Sequence, residues 1–418
     1  MIHKAQLNAE QKDLISNCVE IEHAPKRLKK SVDKLALKGI NFIKIIITEI
    51  NAFKRVEGIL SLNRMSKQFA GAVSTQRGQP TNMKQHYCLE SGDNPTFSEY
   101  FSLTKKQVEL ELSRFVSSLS HLSLHSRIEY AVLTEGKRFR PLLVILSAES
   151  VGGNRSKVMP LALAFEIMHT ATLVHDDIID QDEMRRGRLS LYKKWSINDA
   201  ILTGDALIAL AVNVASAYGE NILKNVSQTA LELCEGESLD LVDSLETTEE
   251  DYFNRIRYKS ASLCTSAAYC GAIAGEGTPG DARSLAMFGE SFGIAYQLRD
   301  DILDFGIRDS NFKDPENGRV TLPLIYCYAK SSADEKREIE KFQARLKSNP
   351  SEANERAGEI LKLIHRKGAF EYCEKIIDMY LSHALTSIST LKETRYKAYL
   401  TEMARTLRSW AGTDEKQT

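Results

Sequence analysis

Two copies of Asp-Asp-aliphatic-aliphatic-Asp stand in this chain, Asp176-Asp177-Ile178-Ile179-Asp180 and Asp300-Asp301-Ile302-Leu303-Asp304, each within an apolar, helix-favouring stretch. On a helix, residues four apart share a face, so Asp176 and Asp180 project together, as do Asp300 and Asp304. Like charges held that close repel unless cations bind between them. Carboxylate oxygens with room for water suit Mg2+, which takes one or two protein carboxylates and fills its remaining positions with water and phosphate. Two such faces across a cavity would clamp a diphosphate. A solvated acidic turn does not carry Ala171-Thr172-Leu173-Val174 ahead of its acids, nor recur with the same aliphatic spacing.

Between about residues 96 and 410, apolar residues recur three and four apart, over 103–122, 141–150, 158–174, 199–218, 251–273 and 283–305. Breakers fall between these runs at Gly152-Gly153, Gly187, 275–280, 315–318 and Pro350. The pattern predicts an all-α fold, a single large helical bundle around a central apolar cavity. The chain then divides into a basic N-terminal extension (1–90), a catalytic domain (91–412) and a polar tail (413–418).

A hydrophobic content of 43% with 27% charged residues fits a globular chain of 418 residues. Seven cysteines form no CxxC pair, and no secretory leader opens the chain, so reduced thiols and a cytoplasmic setting are expected. The apolar run at 41–50 is interrupted by Lys44 and Glu49 and is too short to span a bilayer; no transmembrane helix is expected. The net charge of −1 hides an asymmetry, since residues 1–89 hold 15 Lys and Arg against 7 Asp and Glu. That segment reads as a solvated helical extension or as a basic amphipathic surface for membrane or nucleic acid, and Met83 offers an alternative start. No nucleic-acid partner is expected of the chain as a whole.

Cations accompany the acids. Met184-Arg185-Arg186-Gly187-Arg188 follows the first motif, and Gly136-Lys137-Arg138-Phe139-Arg140-Pro141 precedes it at a helix start. Arginine's donor fork matches phosphate oxygens, and free N–H groups at a helix start attract anions. His169 lies two turns before Asp176 on the same face, placed for a phosphate contact. Lys259-Ser260 and Gln297 add a cation and an amide, and Gly318-Arg319 offers a further cation on a loop suited to a lid. A His-Asp phosphohydrolase built on His175-Asp176 would need further metal-ligating histidines, for which the chain offers few candidates.

Taken in order, GKRFRP, EIMHTATLVHDDIIDQDEMRRGR, a Gly204-Asp205-Ala206-Leu207 turn, Lys259-Ser260, YQLRDDILDF and GRVTLPLIY resemble the trans-prenyl diphosphate synthases, the polyprenyl synthetase family of the isoprenoid synthase fold, over roughly residues 96–410. The resemblance implies transfer of an allylic group to isopentenyl diphosphate with three Mg2+ ions between the motifs. It makes Asp176, Asp180 and Asp300 the leading ligands, with Asp177, Asp301 and Asp304 ligating or supporting them. It assigns Lys137, Arg140, His169 and Arg186 to isopentenyl diphosphate, and Arg185, Lys259, Ser260, Gln297 and Arg319 to the allylic diphosphate, with Lys259 also catalytic. A homodimer and peripheral membrane contact at product release are further expectations. The chain departs from the family at Gly318-Arg319, where Gly-Lys is usual, at the shorter loop before it, and at Tyr192. A terpene cyclase would replace the second acidic motif; a non-catalytic subunit of a heteromeric synthase would lose motif residues that are intact here.

Product length follows from the helix before Asp176. Short-product relatives place an aromatic residue four or five positions upstream, where this chain has Thr172 and Ala171. At about 1.5 Å per residue, the first bulky stops, Met168 and Phe165, lie about 12 and 16 Å below Asp176. A product longer than C20, within C25 to C50, is predicted.

Overall fold

Helix starts in this chain are written in its Thr, Ser and Asn residues. Thr96, Thr248 and Thr278 each accept from the backbone three residues on, and Glu99, Asp251 and Asp281 bond back to the cap, closing three capping boxes. Asn154 and Ser196 cap two more starts. The computed structural model describes residues 95–242, 244–305, 320–348 and 350–409; the extension 1–90, Arg319 and the tail 413–418 lie outside them. The helices are α1 (Phe97–Ser118), α2 (His125–Val132), α3 (Phe139–Ser150), α4 (Arg155–Ile179), the short α5 (Leu191–Lys194), α6 (Ile197–Ser216), α7 (Glu220–Leu241), α8 (Glu249–Ile256), α9 (Ser262–Ala274), α10 (Pro279–Asp304), α11 (Leu322–Ala329), α12 (Ala333–Ser348), α13 (Pro350–Arg366), α14 (Ala369–Ser387) and α15 (Arg395–Ser409). The expected all-α architecture is interrupted among the described residues by one antiparallel hairpin, β1 (Met184–Arg185) with β2 (Arg188–Leu189).

At the centre, α4 packs on α3, α6 and α9, while α9 also packs on α3, α7 and α10. Leu142, Leu143, Val144, Ile145 and Leu146 are all buried, as expected of a helix apolar on every side. Among the described residues, two helices, α4 and α6, are long and apolar enough to cross a membrane by length and composition, although no transmembrane helix is expected from the sequence. The apolar window of α4 is 78% buried inside the protein and that of α6 only 39%. On α6, Ile197, Ile201 and Leu202 face outward.

Two local expectations are corrected. The run 251–273 is not one helix, because a π-helical turn at Arg257–Ala261 separates α8 from α9. Gly204 to Leu207 form no turn but lie inside α6. A Cβ at position 204 would stand 2.1 Å from His175 Nε2, so this glycine admits a side chain of α4 rather than breaking a helix.

The loop leading into α3 is held by Arg138, which adopts a left-handed backbone conformation with φ of 54°. Its guanidinium donates to Glu109 (2.7 Å), Glu166 (2.6 Å) and the carbonyls of Val132 and Thr134. Arg138 and Glu166 side chains are 2% and 3% exposed. Removing one partner of such a pair strands the other charge in the interior. Arg138→Leu is therefore expected to destabilise the fold by about 3–5 kcal/mol, read as a lower midpoint in denaturant unfolding.

Candidate active site

Both acidic motifs occupy the last turns of long helices. Asp180 caps α4 and Asp304 is the final residue of α10. Helix C-termini carry partial negative charge, so the fold adds to the repulsion among the acids. Burial, with Glu237 and Asp180 beside it, pushes Asp176 up to about 8 against the opposing pull of Lys259 and Arg185. Burial, with Asp304 and Asp301 nearby, raises Asp300 to about 7 against Lys137 and Arg140.

The second acid of each motif turns inward, and Asp177 and Asp301 are each 4% exposed. Asp177 accepts from Arg185 Nε at 2.6 Å, and Arg185 also reaches Asp182 at 3.1 Å. Asp301 accepts from the Tyr252 hydroxyl at 2.5 Å and from Gln297 Nε2 at 2.7 Å. Ser260 Oγ donates in turn to Gln297 Oε1 at 2.6 Å. Asp177 and Asp301 thus hold, from beneath, residues expected at the allylic diphosphate.

Lys259 sits in the π turn, a helix distortion frequent at functional sites. A Cβ on Gly236 would come within 2.3 Å of the Lys259 backbone nitrogen, so only glycine lets α7 lie this close. The approach places Lys259 Nζ 2.7 Å from Glu237 Oε2 and 2.5 Å from Asp240 Oδ2. Burial opposes the Lys259 charge, yet Asp240, Asp176 and Glu237 together raise its pKa. Sequence reasoning missed Glu237 and Asp240, whose signal was the glycine between Glu235 and Glu237 in mid-helix, a position that otherwise disfavours a helix.

On the other side, positive φ at Arg186 (52°) and Gly187 (73°) is the pattern of a two-residue type I′ hairpin turn. Arg186 Nη1 donates to the Glu135 carbonyl at 2.5 Å, joining the hairpin to the loop before α3. Arg140 Nε is buried without a hydrogen-bond partner. Burial, then Arg140, Arg186, Arg138 and Arg185, hold His169 well below the usual imidazole value. Lys137 Nζ lies 5.9 Å from the Tyr296 ring, one turn before Asp300. Arg140 and Arg186 thus stand about a neutral His169 imidazole, an environment that attracts anions, while Lys137 and Arg140 lie near Asp300. Arg185, Lys259, Ser260 and Gln297 gather about the acids.

Deeper in the bundle, a small pocket, with room for about one water molecule, is lined by Ala164, Phe165 and Met168 of α4, Val226 and Thr229 of α7, and Leu263 of α9. Above it on α4, Ala171 is buried and Thr172 half-buried, with the Thr172 hydroxyl turned to the His169 carbonyl at 2.8 Å.

The Polyprenyl synthetase family model matches residues 121–361. The chain belongs to that family. The short chain isoprenyl diphosphate synthase of Methanothermobacter thermautotrophicus is 30% identical over 322 residues, covering 73% of this chain and 97% of that protein. The heptaprenyl diphosphate synthase component 2 of Bacillus subtilis is 32% identical over 71% of this chain and 85% of that protein. A crystal structure of a Caulobacter crescentus polyprenyl synthase, complexed with calcium and isoprenyl diphosphate, aligns with a TM-score of 0.68 at 26% identity, over 77% of this chain and 99% of that one. The fold is that of the isoprenoid synthases, and the protein is a polyprenyl diphosphate synthase, a prenyltransferase.

For this synthase, Gly236→Ala is expected to shift the π turn and displace Lys259. A misplacement of about 1 Å costs on the order of 100-fold in rate, so kcat/KM for the allylic substrate should fall by about that factor while far-UV circular dichroism stays unchanged.

Proposed function

We propose that the synthase condenses isopentenyl diphosphate with an allylic diphosphate in a Mg2+-dependent reaction, and that its product is longer than C20, within C25 to C50. The observation that carries this reading is the pairing of carboxylates at the ends of α4 and α10, with Asp176 and Asp300 both raised by burial and like charge. The donor set fits the ion: hard carboxylate oxygens stand in pairs on the last turns of α4 and α10, a set that would leave positions for water and substrate phosphate.

Asp176, Asp180, Asp300 and Asp304 would hold Mg2+, three ions in the filled site, which would supply neutralisation of the charge on the departing allylic diphosphate. Lys259 and Arg185, with Ser260, Gln297 and Arg319, hold that diphosphate. Lys137, Arg140, His169 and Arg186 hold isopentenyl diphosphate with its double bond toward the allylic carbon. The allylic C–O bond breaks, a C–C bond forms to the isopentenyl double bond, and a proton passes to the departed diphosphate. The apolar wall below excludes water from the carbocation.

Outward-facing Ile201 and Leu202 on α6, with exposed Leu231 and Leu241 on α7, support self-association as a homodimer. A heteromeric assembly, in which this chain is a regulatory or non-catalytic subunit, is the second reading, favoured by the relative named component 2. A cytoplasmic setting, with membrane contact at product release, completes the proposal.

Incubation of the purified protein with Mg2+, labelled isopentenyl diphosphate and C5, C10, C15 or C20 primers is expected to give metal-dependent elongation past C20. No turnover with any primer would favour the partner-subunit reading, and C15 or C20 as the final product would refute the length. Ala171→Phe should shorten the product. The raised acids also predict a pH dependence. Between the ordinary carboxylate value of 3.8 and about 8, the unfolded chain releases protons that the folded, ion-free protein retains at Asp176 and Asp300, so their contribution to stability is lost as pH rises. Melting of the ion-free protein should fall between about pH 6 and pH 8, and Mg2+ should restore more of it at the higher pH.

A further inference from the structure

We propose that the hydrogen-bonded cluster of Asn225, Ser266 and Cys270 is the floor of the elongation tunnel and sets the length at which the product stops. The inference rests on reading the cavity beneath the acidic motifs as the place where the chain grows. Helix α7 meets the π turn where Gly236 seats against the Lys259 backbone. Eleven residues from Gly236 along α7 comes Asn225, and eleven residues from Lys259 in the opposite sense comes Cys270. The two segments therefore run antiparallel and are joined at both ends. Between the joints, Val226 and Thr229 on one side and Leu263 on the other form cavity wall opposite Phe165 and Met168.

At the lower joint, Ser266 Oγ donates to Asn225 Oδ1 at 2.5 Å, and Cys270 Sγ donates to the same oxygen at 3.2 Å. Ser266 is 2% exposed and Cys270 fully buried. The Thr229 hydroxyl is turned away to the Asn225 carbonyl at 2.9 Å, which leaves the wall above the floor without a polar group to meet a hydrocarbon tail. Asn225 lies fifteen residues below Asp240 on α7, about 22 Å at the helical rise, deeper than Phe165 beneath Asp176.

The two kinds of obstacle differ in how they yield. Met168 is unbranched and adapts to a tail by rotating. The floor yields only if the buried Ser266 and Cys270 donors are separated from the half-buried Asn225, and a hydrocarbon offers those donors no replacement. A tail that slips past the α4 side chains therefore stops where α7 and α9 are bonded together.

The experiment is the product ladder made from a C15 primer and labelled isopentenyl diphosphate by wild type, by Asn225→Ala with Ser266→Ala, by Ser266→Ala alone and by Thr229→Phe, each checked for folding by thermal melting. The double variant is expected to move the most abundant product up by at least one C5 unit, with a smaller upward shift for Ser266→Ala, and Thr229→Phe is expected to move it down. Should the double variant fail to fold, the single Ser266→Ala and Thr229→Phe ladders decide. Wild-type ladders from active, folded variants, alongside a longer product from Met168→Ala, would assign the stop to α4 alone and overturn the floor. A wild type that elongates no primer would sink the proposed function and the floor together, whereas an unchanged ladder from active variants sinks the floor alone.

Discussion

Negative charge held at the negative ends of helices is the constraint around which this molecule is arranged. Asp176 with Asp180, and Asp300 with Asp304, stand on the last turns of α4 and α10, where exposed carbonyls already favour cations. Burial then removes the water that would screen them. Placed on a surface, the same residues would cost little; placed here, they leave the folded protein short of positive charge, and Lys259, itself shared with Glu237 and Asp240, relieves only part of it. A site built this way binds cations because the fold has accepted a local cost in stability that the ions offset.

Holding such a site in shape falls to groups that never face it. The second acid of each motif is spent inside, Asp177 on Arg185 and Asp301 on Tyr252 and Gln297. Asp177 is thereby tied to Arg185 of the hairpin and Asp301 to Gln297 of its own helix, so the spacing between these groups is set by short hydrogen bonds rather than by flexible side chains. Arg138 does the same for the loop before α3, its charge consumed by Glu109 and Glu166, which leaves the neighbouring Lys137 and Arg140 to address the site. The result is a frame with few soft degrees of freedom, the condition under which oriented charges favour a reaction most.

Much of this was legible in the sequence because helical periodicity and the i, i+4 rule act on neighbours along one chain. The acidic faces, the order of the motifs and the apolar core helices all follow from spacing. What spacing does not carry is the approach of one helix to another. Gly204 reads as a turn residue, yet it sits in mid-helix to admit His175. Gly236 reads as a weak point in α7, yet it is where the π turn rests, and Glu237 and Asp240 beside it look like solvated acids until α9 is in place. Among Lys137, Arg138 and Arg140, nothing in the sequence distinguishes the one that is buried in ion pairs from those near Asp300.

The same division explains why the chemistry was easier to read than the product. Ionisation needs charges at fixed positions, and those are encoded in compact motifs whose members lie within a few residues of each other. On the proposed reading, chain length depends on where a hydrophobic tail meets something that will not move, and the pocket walls above that point, Phe165, Thr229 and Leu263, come from separate parts of the sequence. Along α4 alone, only the first obstacles are visible, and these are a flexible methionine and a phenylalanine that one helix does not immobilise. On that reading the end of the tunnel is a property of packing between helices, so a sequence can retain every catalytic motif while residues no motif contains set its product length.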